Sequence, residues 1–289
     1  MPETLGIIGG SGLYDLPGIT NVEELTVTTP YGSTSGPIIS GRIGESAVAF
    51  LPRHGKGHRL NPSEVPYRAN IHALKQLGVT HLLSISAVGS LQEDLPPGTM
   101  VLPDQLIDRT VARDRTFFEG GIVAHASLAD PFCADLQRHV LATVDQADTR
   151  AHHGGTYVCI EGPQFSTRAE SNLYRRWPAH VIGMTAMPEA RLAREAGLCY
   201  CIVATVTDYD VWHESEEDVS VASVLAVLAA NVNRSKNLIA NLADSPLPSC
   251  SSGCAKAAAH AVSTRQDSLS DEHTALLSFL TSRNAQSES

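Results

Sequence analysis

The sequence predicts an α/β fold, because short apolar, β-branched segments alternate with longer segments of helical periodicity. The chain has 289 residues, of which 43% are hydrophobic, and this is enough for one large core or two small ones. Alternating strands and helices are typical of a sheet covered on both faces. In such a sheet, functional loops follow the carboxyl ends of the strands.

The predicted elements follow from the two periodicities. Strands are expected where apolar, β-branched runs are bounded by turn residues: Leu5–Ile8, Ala47–Leu51, His81–Ala87, Met100–Pro103, Gly155–Ile160, His180–Met184 and Cys199–Thr205. Helices are expected where the apolar spacing is helical: Tyr67–Leu77, Pro131–Gln146, Thr167–Arg176, Pro188–Ala196 and Val219–Ala243.

The chain shows no linker or internal repeat before residue 244, where the segment SPLPSCSSGC is rich in Ser, Pro and Gly. The predicted organisation is one domain over residues 1–243 and a C-terminal appendage over residues 244–289. Within the appendage, residues 255–262 and 271–280 are each predicted to form a short helix. The last residues are predicted to be a disordered tail.

Composition and charge disfavour several classes of function. A net charge of −10 and an aromatic content of 5% disfavour a nucleic-acid partner, because phosphate backbones are repelled and bases find few stacking surfaces. No apolar run of about 18 residues occurs, so no membrane span is expected. The N-terminus lacks a basic segment followed by an apolar one, so no signal peptide is expected. We therefore expect a cytoplasmic protein.

The six cysteines fall into two groups. Apolar surroundings predict core positions for four of them: Cys133, Cys159, Cys199 and Cys201. Cys250 and Cys254 instead flank the residues SSG in a polar segment. Neither a second cysteine pair nor a nearby histidine at ligand spacing accompanies them, which disfavours zinc. Two thiols in a reducing cytosol are expected, with a disulfide as the alternative.

A glycine cluster near the N-terminus, GIIGGSGLYD at residues 6–15, follows the first predicted strand. It lacks the G-x-G-x-x-G spacing of dinucleotide-binding folds and the Gly-Lys-Ser/Thr of a P-loop. These differences argue against an NAD-dependent dehydrogenase and a nucleoside triphosphatase. A tight loop with exposed N–H groups and the Ser11 hydroxyl suits a free phosphate or sulfate-like anion. The alternative is a glycine-rich turn without a ligand.

Three other predicted strand ends carry groups that suit an anion. Arg53 and His54 follow one strand, and Arg53 offers a planar fork of donors that matches phosphate oxygens. Small and hydroxyl residues end a second strand in SISAVGSL, residues 84–91, and Thr185 follows a third in GMTAMPEA, residues 183–190. The four loops could therefore converge on one anion.

Asp208 and Asp210 end an apolar run in TVTDYDVWHESEE, residues 205–217. Carboxylates do not suit a phosphate site but suit a base that carries N–H donors. An aspartate in an apolar pocket can also be protonated and donate to a ring nitrogen. The alternatives are two solvated loop residues or a metal site, for which no third ligand is evident.

Six motifs together resemble the S-methyl-5'-thioadenosine phosphorylases of the trimeric purine nucleoside phosphorylase group: GIIGGSGLYD, PRHG, SAVGSL, IEGPQFSTRAES, GMTAMPEA and ATVTDYDVWHESEE. The resemblance spans roughly residues 5–240. It implies a single α/β domain around a central mixed, partly barrel-like β-sheet flanked by helices. It also implies a homotrimer with active sites near the subunit interfaces.

The resemblance implies that inorganic phosphate cleaves the N-glycosidic bond of methylthioadenosine, giving adenine and 5-methylthioribose 1-phosphate. No metal or organic cofactor is implied, since phosphate is a co-substrate. The alternatives are a purine nucleoside phosphorylase of broad or 6-oxopurine specificity, a hydrolase, or a purine-binding protein without catalysis.

Matching motifs assign roles to individual residues. Phosphate ligands are implied at Ser11, Arg53, His54, Ser86, Ala87 and Thr185. For the nucleoside, the resemblance implies that Phe165 packs on the base. It implies hydrogen bonds to the purine from Ser166, Asp208 and Asp210. It also implies contact with the ribose by Met184 and with the 5' substituent by Val221. His125 matches a position that reaches into a neighbouring subunit's site, the alternative being a surface histidine.

Chemistry separates the two aspartates. Departure of adenine is helped by a proton at N7, which we assign to Asp208, with Asp210 nearer the 6-amino group. Aspartate at both positions favours a 6-aminopurine, whereas asparagine would suit a 6-oxo group. The appendage is similar to relatives in which a cysteine pair precedes a short closing helix, so a helix near Ala255–Val262 is predicted to cap a pocket. Those relatives have the spacing C-x-C, whereas Cys250 and Cys254 are spaced C-x-x-x-C, which argues against a structural disulfide.

Overall fold

The computed structural model describes residues 4–10, 12–13, 16–146, 150–213 and 221–282. Within them the chain forms a mixed β-sheet flanked by helices, which confirms the predicted α/β fold. Residues 283–289, most of the predicted tail, lie outside the described ranges.

The strands of the described ranges are β1 (Thr4–Gly9), β2 (Thr20–Leu25), β3 (Thr28–Thr29), β4 (Gly32–Ser33), β5 (Ile38–Ile43), β6 (Ser46–Pro52), β7 (Val79–Ser90), β8 (Met100–Leu102), β9 (Gln105–Asp108), β10 (Ala151–His153), β11 (Thr156–Cys159), β12 (Val181–Gly183) and β13 (Cys199–Asp208). The α-helices are α1 (Tyr67–Gln76), α2 (Ala134–Gln146), α3 (Arg168–Arg176), α4 (Ala186–Glu195), α5 (Val221–Ala243) and α6 (Asp271–Thr281). All the strands and helices predicted for residues 1–243 are therefore present, with ends shifted by a few residues.

The sheet is built around β1, which lies parallel to both β6 and β7. In the described residues its main path runs β10-β8-β13-β7-β1-β6-β5-β2. The last residues of β7 also pair antiparallel with β12, which begins a branch through β11 to β9. β7 is thus the junction between the two parts of the sheet.

Burial explains why the central strands were predictable and the edge strands were not. β1 and β13 are buried along nearly their whole length, so they appear in the sequence as continuous apolar runs. By contrast β2, with the sequence TNVEEL, is almost entirely exposed and carries two glutamates. An edge strand of this kind gives a weak sequence signal.

The C-terminal segment packs against the rest of the chain through Cys254, Ala258 and Leu280, each at most 2% exposed. The ammonium of Lys75 reaches it by donating to the carbonyl of Ser282, at 2.9 Å. Of the helices in the described part, none combines the length and apolar character needed to cross a lipid bilayer.

The helix predicted at residues 255–262 is wrong. Only Cys254–Lys256 forms a 3-10 turn, and turns follow it. The backbone of this segment instead pairs with residues 123–125, through a bridge between Ala124 and Val262 and a 2.8 Å bond from His125 N to the Ala261 carbonyl. Eight alanine-rich residues are too short for a stable helix, so these tertiary contacts decide the conformation.

Candidate active site

A cavity of about 480 Å³ lies at the carboxyl ends of the parallel strands β1, β6, β7 and β13. Most of the residues that the sequence assigned to a site line it: Arg53, His54, Ser86, Ala87, Phe165, Ser166, Met184, Thr185, Asp208 and Asp210. Residues as far apart in the chain as Arg53 and Asp210 therefore meet in one place. This is the arrangement expected at the carboxyl edge of a parallel sheet.

Three of the predicted residues are not placed at this cavity. Ser11 lies outside the described residues, and Val221 begins α5 at a position whose side chain lies outside the description. His125 is exposed on the segment that pairs with residues 261–263, away from the residues lining the cavity of its own chain. Its expected role in a neighbouring subunit stays a prediction.

Arg53 is fully buried and almost fully bonded. Its Nε and Nη2 donate to the two carboxylate oxygens of Glu189 at 3.0 and 3.3 Å. Nη2 also donates to Ser84 Oγ at 2.7 Å, and Nη1 donates to the Ile85 carbonyl at 2.9 Å. Among the described residues, these partners leave one Nη1 hydrogen without an acceptor, so Arg53 has a donor available to a ligand of the cavity.

Glu189 holds this guanidinium in place. Its Oε1 also accepts a 2.9 Å bond from the hydroxyl of Tyr200, so both oxygens are occupied. Burial alone would lower the pKa of Arg53. The charge and hydrogen bonds of the Glu189 carboxylate have the larger combined effect, so the pKa of Arg53 lies above its usual value. The site therefore contains a permanently charged, rigidly oriented cation.

His54 is held as a neutral ring. Burial and the charge of Arg53 lower the pKa of His54 to about 4. Its Nδ1 lies 2.9 Å from the Leu60 carbonyl, which assigns the proton to Nδ1 and leaves Nε2 as an acceptor. The ring stacks on His58 with centroids 4.3 Å apart. A neutral acceptor of this kind suits the hydroxyl of a hydrogen phosphate ion.

Hydroxyl groups complete the same end of the cavity. Ser86 Oγ lies 3.0 Å from Thr185 Oγ1 and 3.2 Å from the hydroxyl of Tyr157. Burial raises the pKa of Tyr157 to about 12, so its phenol stays a donor at neutral pH. Ser86 and Thr185 line the cavity and offer hydroxyl donors to an anion, with the Tyr157 hydroxyl behind Ser86 as its hydrogen-bond partner.

Asp208 and Asp210 lie farther along the same cavity. Asp208 is beside Gly89 in the register of β13 with β7, three residues beyond Ser86, which is about 10 Å along a strand. Thr207 Oγ1 donates to Asp208 Oδ2 at 2.7 Å. Burial raises the pKa of Asp208, and burial together with the charge of Asp208 raises the pKa of Asp210 to about 6.

Two buried oxygens at the aspartate end of the cavity belong to Asp210 and Ser166. Asp210 Oδ2 and Ser166 Oγ are both enclosed and make no hydrogen bond among the described residues. Buried polar atoms are almost always bonded, so unbonded ones in a cavity are candidates for ligand contacts. An acceptor and a hydroxyl in this position fit the N–H groups and ring nitrogens of a purine.

Several residues that line the cavity were not predicted from the sequence, including Asn231 and Ser235 of α5. Asn231 Nδ2 donates to the Val206 carbonyl at 2.9 Å. The two residues lie four apart and so share one face of α5, but the surrounding segment NVNRSKN is mostly polar, so the sequence did not single them out. Arg113 was also missed: its Nη1 donates to the carbonyls of Met184 and Met187 at 2.7 and 2.6 Å, fixing the loop that carries Met184.

The cavity can thus bind two different chemical groups. One end offers a guanidinium, a neutral imidazole and hydroxyls, which suit phosphate; the other offers carboxyl groups of raised pKa, which suit a nitrogen base. In the described part of the chain, no group of three or more His, Cys, Asp or Glu ligand atoms gathers at this cavity.

Comparisons with known proteins agree with this geometry. A family profile described as "Phosphorylase superfamily" matches residues 4–244. An S-methyl-5'-thioadenosine phosphorylase of Geobacter sulfurreducens is 53% identical over 242 residues, covering 83% of this chain and 85% of that protein.

Two solved structures are also similar. A methylthioadenosine phosphorylase from an antarctic soil metagenomic library has a TM-score of 0.90 at 47% identity, covering 96% of this chain and 99% of that one. A methylthioadenosine phosphorylase from Schistosoma mansoni in complex with adenine has a TM-score of 0.77 at 38% identity, covering 83% of this chain and 91% of that one. The chain therefore belongs to the phosphorylase superfamily and, within it, to the S-methyl-5'-thioadenosine phosphorylase family.

Proposed function

We propose that this protein catalyses the phosphorolysis of S-methyl-5'-thioadenosine to adenine and 5-methylthioribose 1-phosphate. The observation that carries the proposal is the division of one cavity into two ends, with Arg53 and His54 at one and Asp208 and Asp210 at the other. The separation of about 10 Å along β7 leaves room for a sugar between a phosphate ion and a base. Phosphorolysis requires this order of groups.

At the phosphate end, the ion is held by Arg53, His54, Ser86, Thr185, the backbone N–H of Ala87 and Ser11. Arg53 supplies the charge that attracts the anion, and the hydroxyls supply neutral donors. His54 Nε2 accepts a hydrogen bond from the hydroxyl of a hydrogen phosphate, so the unprotonated phosphate oxygens remain available to attack the sugar. The site thus orients the nucleophile.

The reaction breaks the bond between C1' and N9, whose electron pair goes to adenine. Positive charge develops at C1', and phosphate oxygens held beside the ring stabilise it before one of them attacks C1'. The carboxyl of Asp208 gives a proton to N7 of the departing adenine and recovers one from solvent. Its raised pKa supports this role, because a carboxyl must be protonated to donate. Asp210 accepts from the 6-amino group.

The remaining contacts define the base and the 5' substituent. Phe165 packs on the purine, Ser166 bonds to its edge, and Met184 contacts the ribose. Leu228 and Val232 line the cavity together with these residues, and an apolar lining favours methylthio over hydroxyl by about 1–3 kcal/mol. Val221, the first residue of the same helix, is the residue proposed for contact with the 5' substituent.

The active form is a cytoplasmic homotrimer with active sites near the subunit interfaces. Phe165 supports an interface here, since it lines the cavity and is yet 48% exposed in the single chain. Val123, 49% exposed, is an apolar side chain two residues from His125 that an interface would cover. His125 reaches from one subunit to the 5' side of the neighbour's nucleoside.

The test is a comparison of kcat/KM for methylthioadenosine, adenosine, inosine and methylthioinosine, each with and without inorganic phosphate. Phosphate-dependent cleavage that is fastest with methylthioadenosine supports the proposal. Faster turnover of inosine would instead indicate a 6-oxopurine nucleoside phosphorylase and would contradict the roles of Asp208 and Asp210. Cleavage that does not need phosphate would indicate a hydrolase.

A further inference from the structure

Four of the six cysteines lie close together in the fold, although they come from three separate segments of the chain. Cys133 immediately precedes α2, Cys199 opens β13, and Cys250 and Cys254 lie in the C-terminal segment. Their four sulfur atoms all lie within 4.8 Å of one another, and all four are free thiols. None of them lines the cavity of the candidate active site.

The sulfur spacing fits a tetrahedral metal better than disulfides. A disulfide requires two sulfurs about 2.05 Å apart. A metal held by four thiolates at about 2.3 Å places its sulfurs about 3.8 Å apart. Cys133 Sγ lies 3.9 Å from Cys250 Sγ, and the other pairs lie within the same small volume. The three residues between Cys250 and Cys254 also match the C-x₂₋₄-C spacing of structural zinc sites.

The surroundings of the cluster are suited to an anionic metal complex. Zinc with four thiolates carries a net charge of −2, which needs compensation in a buried place. Arg194 is 8% exposed, and its Nη1 donates to Cys254 Sγ at 3.6 Å. An N–H donor on a ligating sulfur is the outer-shell contact that tunes and orients metal ligands.

The loop between the two C-terminal cysteines is held in shape by other contacts. The carboxylate of Asp135 accepts the backbone N–H groups of Ser251 and Ser252 at 2.6 and 3.1 Å. Gly253 has φ +71°, a left-handed conformation that favours glycine. These contacts turn Cys250 and Cys254 toward Cys133 and Cys199. Cys250 is the least buried of the four, which gives an ion a route to the cluster.

We propose that Cys133, Cys199, Cys250 and Cys254 form a tetrathiolate zinc site that fastens the C-terminal segment to the core. Binding replaces the four thiol protons with one Zn²⁺ ion, and no electrons are transferred. Four protein ligands leave no open position for substrate, so the site is structural. The sequence disfavours zinc because no second cysteine pair lies near Cys250 and Cys254 in the chain, but the fold brings Cys133 and Cys199 to them from distant segments.

Metal analysis of the full-length chain tests the site. The wild-type protein is purified under reducing conditions, incubated with Zn²⁺, passed through a desalting column and measured by plasma mass spectrometry. The expected result is about one zinc ion per chain. Cys250→Ser, chosen because its position is the least buried, is expected to lower the retained zinc at least tenfold. Cys201→Ala is the matched control, since Cys201 is buried on the same strand as Cys199 outside the cluster, and it is expected to retain zinc fully.

Two further measurements separate the alternatives. Co²⁺ in place of Zn²⁺ is expected to give the thiolate-to-cobalt charge-transfer absorption of a tetrahedral sulfur site. Thiol titration of the denatured, metal-free protein without reductant is expected to find all six cysteines reactive. A protein that holds no zinc after incubation, with six reactive thiols, would overturn the proposal. Loss of two or four thiols to oxidation would show that disulfides occupy this position instead.

Discussion

The backbone N–H of Asp210 donates a 2.8 Å hydrogen bond to Oδ1 of Asp208. This bond closes a tight turn in which Asp210 has φ +53°, a left-handed conformation that is uncommon for residues other than glycine. The turn brings two carboxyl groups to the same end of the cavity. Their different surroundings give them separate roles in the proposed reaction.

Replacing Asp208 by asparagine is expected to reduce catalysis strongly. An amide cannot give a proton to N7 of adenine, and general acid catalysis contributes roughly 10²–10⁴-fold. We therefore expect kcat for methylthioadenosine to fall by at least about 10²-fold in Asp208→Asn. The ratio of inosine to methylthioadenosine turnover is expected to rise, because an amide can donate to a 6-oxo group.

The measurement is kcat/KM for both nucleosides at saturating phosphate. Asp94→Asn, which alters an exposed carboxylate, serves as the control and is expected to behave like wild type. Wild-type kcat in Asp208→Asn, with unchanged preference between the two nucleosides, would remove Asp208 from the mechanism.

Asp210 makes stability depend on pH in a defined direction. Its ordinary pKa of 3.8 is raised to about 6 in the folded state, mainly by burial. The folded state thus binds a proton more tightly than the unfolded state. The stabilisation that comes from this tighter binding of a proton by Asp210 is complete below pH 3.8 and is lost as the pH rises through 6. Asp210→Asn is therefore expected to be more stable than wild type at pH 8, by at most about 3 kcal/mol.

Urea unfolding at fixed protein concentration, at several values between pH 5 and pH 8, measures this effect. The advantage of Asp210→Asn over wild type is expected to grow by about 1 kcal/mol across that interval. Asp94→Asn, a change at an exposed position, again provides the control. An advantage that is constant or shrinks as the pH rises contradicts the assignment.

The buried pair between Arg53 and Glu189 is expected to support both phosphate binding and stability. Lysine cannot reproduce the two parallel bonds to the carboxylate or the further contacts with Ser84 and Ile85. Disrupting a buried ion pair costs about 3–5 kcal/mol. Because Arg53→Lys keeps a cation beside Glu189 but loses the fork of donors, we expect it to lower the free energy of unfolding by less than this amount and to raise KM for phosphate at least tenfold.

Steady-state kinetics with phosphate varied and urea unfolding together test this expectation. Glu189→Gln is the companion variant, because it keeps the shape of the partner but removes its charge. It is expected to raise KM for phosphate less than Arg53→Lys does. Equal KM values for phosphate in wild type and Arg53→Lys would show that the guanidinium does not contact the ion.

A methyl group at Gly89 is expected to disturb the aspartates without touching the phosphate end. A Cβ at this position would lie 2.9 Å from Asp208 Oδ1 and 3.2 Å from the Cβ of Asp210. Displacement of a catalytic group by about 1 Å can cost up to about 10²-fold in rate. We expect Gly89→Ala to lower kcat by at least tenfold while KM for phosphate changes less than twofold. A larger effect on KM for phosphate than on kcat would contradict the proposed separation of the two ends.

The site was predictable where a side chain lies next to a buried parallel strand. Arg53 follows β6 and Asp208 ends β13. Because the carboxyl ends of these strands lie at the same edge of the sheet, the two residues meet in one cavity. Glu189 was not predicted as the partner of Arg53, because the two residues are 136 positions apart and the pairing depends on tertiary packing. The same applies to Cys133 and Cys250, which the sequence separates by 117 positions.

Local patterns also failed where tertiary contacts outweigh propensity. The alanine-rich residues 255–262 favour a helix, yet their backbone bonds to residues 123–125. β5 and β10 are short or only partly buried, so neither shows the continuous apolar run that marks β13. The central strands and the loops after them were therefore foreseen more completely than the edges of the sheet and the C-terminal segment.

The proposed reaction depends on phosphate acting as the nucleophile at C1'. The decisive measurement follows methylthioadenosine with ³²P-labelled inorganic phosphate and quantifies adenine and labelled sugar phosphate in the same reaction. Phosphorolysis predicts adenine and labelled 5-methylthioribose 1-phosphate in a one-to-one ratio, with neither product formed when phosphate is left out. Adenine released together with unlabelled free methylthioribose would show that water is the nucleophile and would contradict the roles given to Arg53, His54, Ser86 and Thr185.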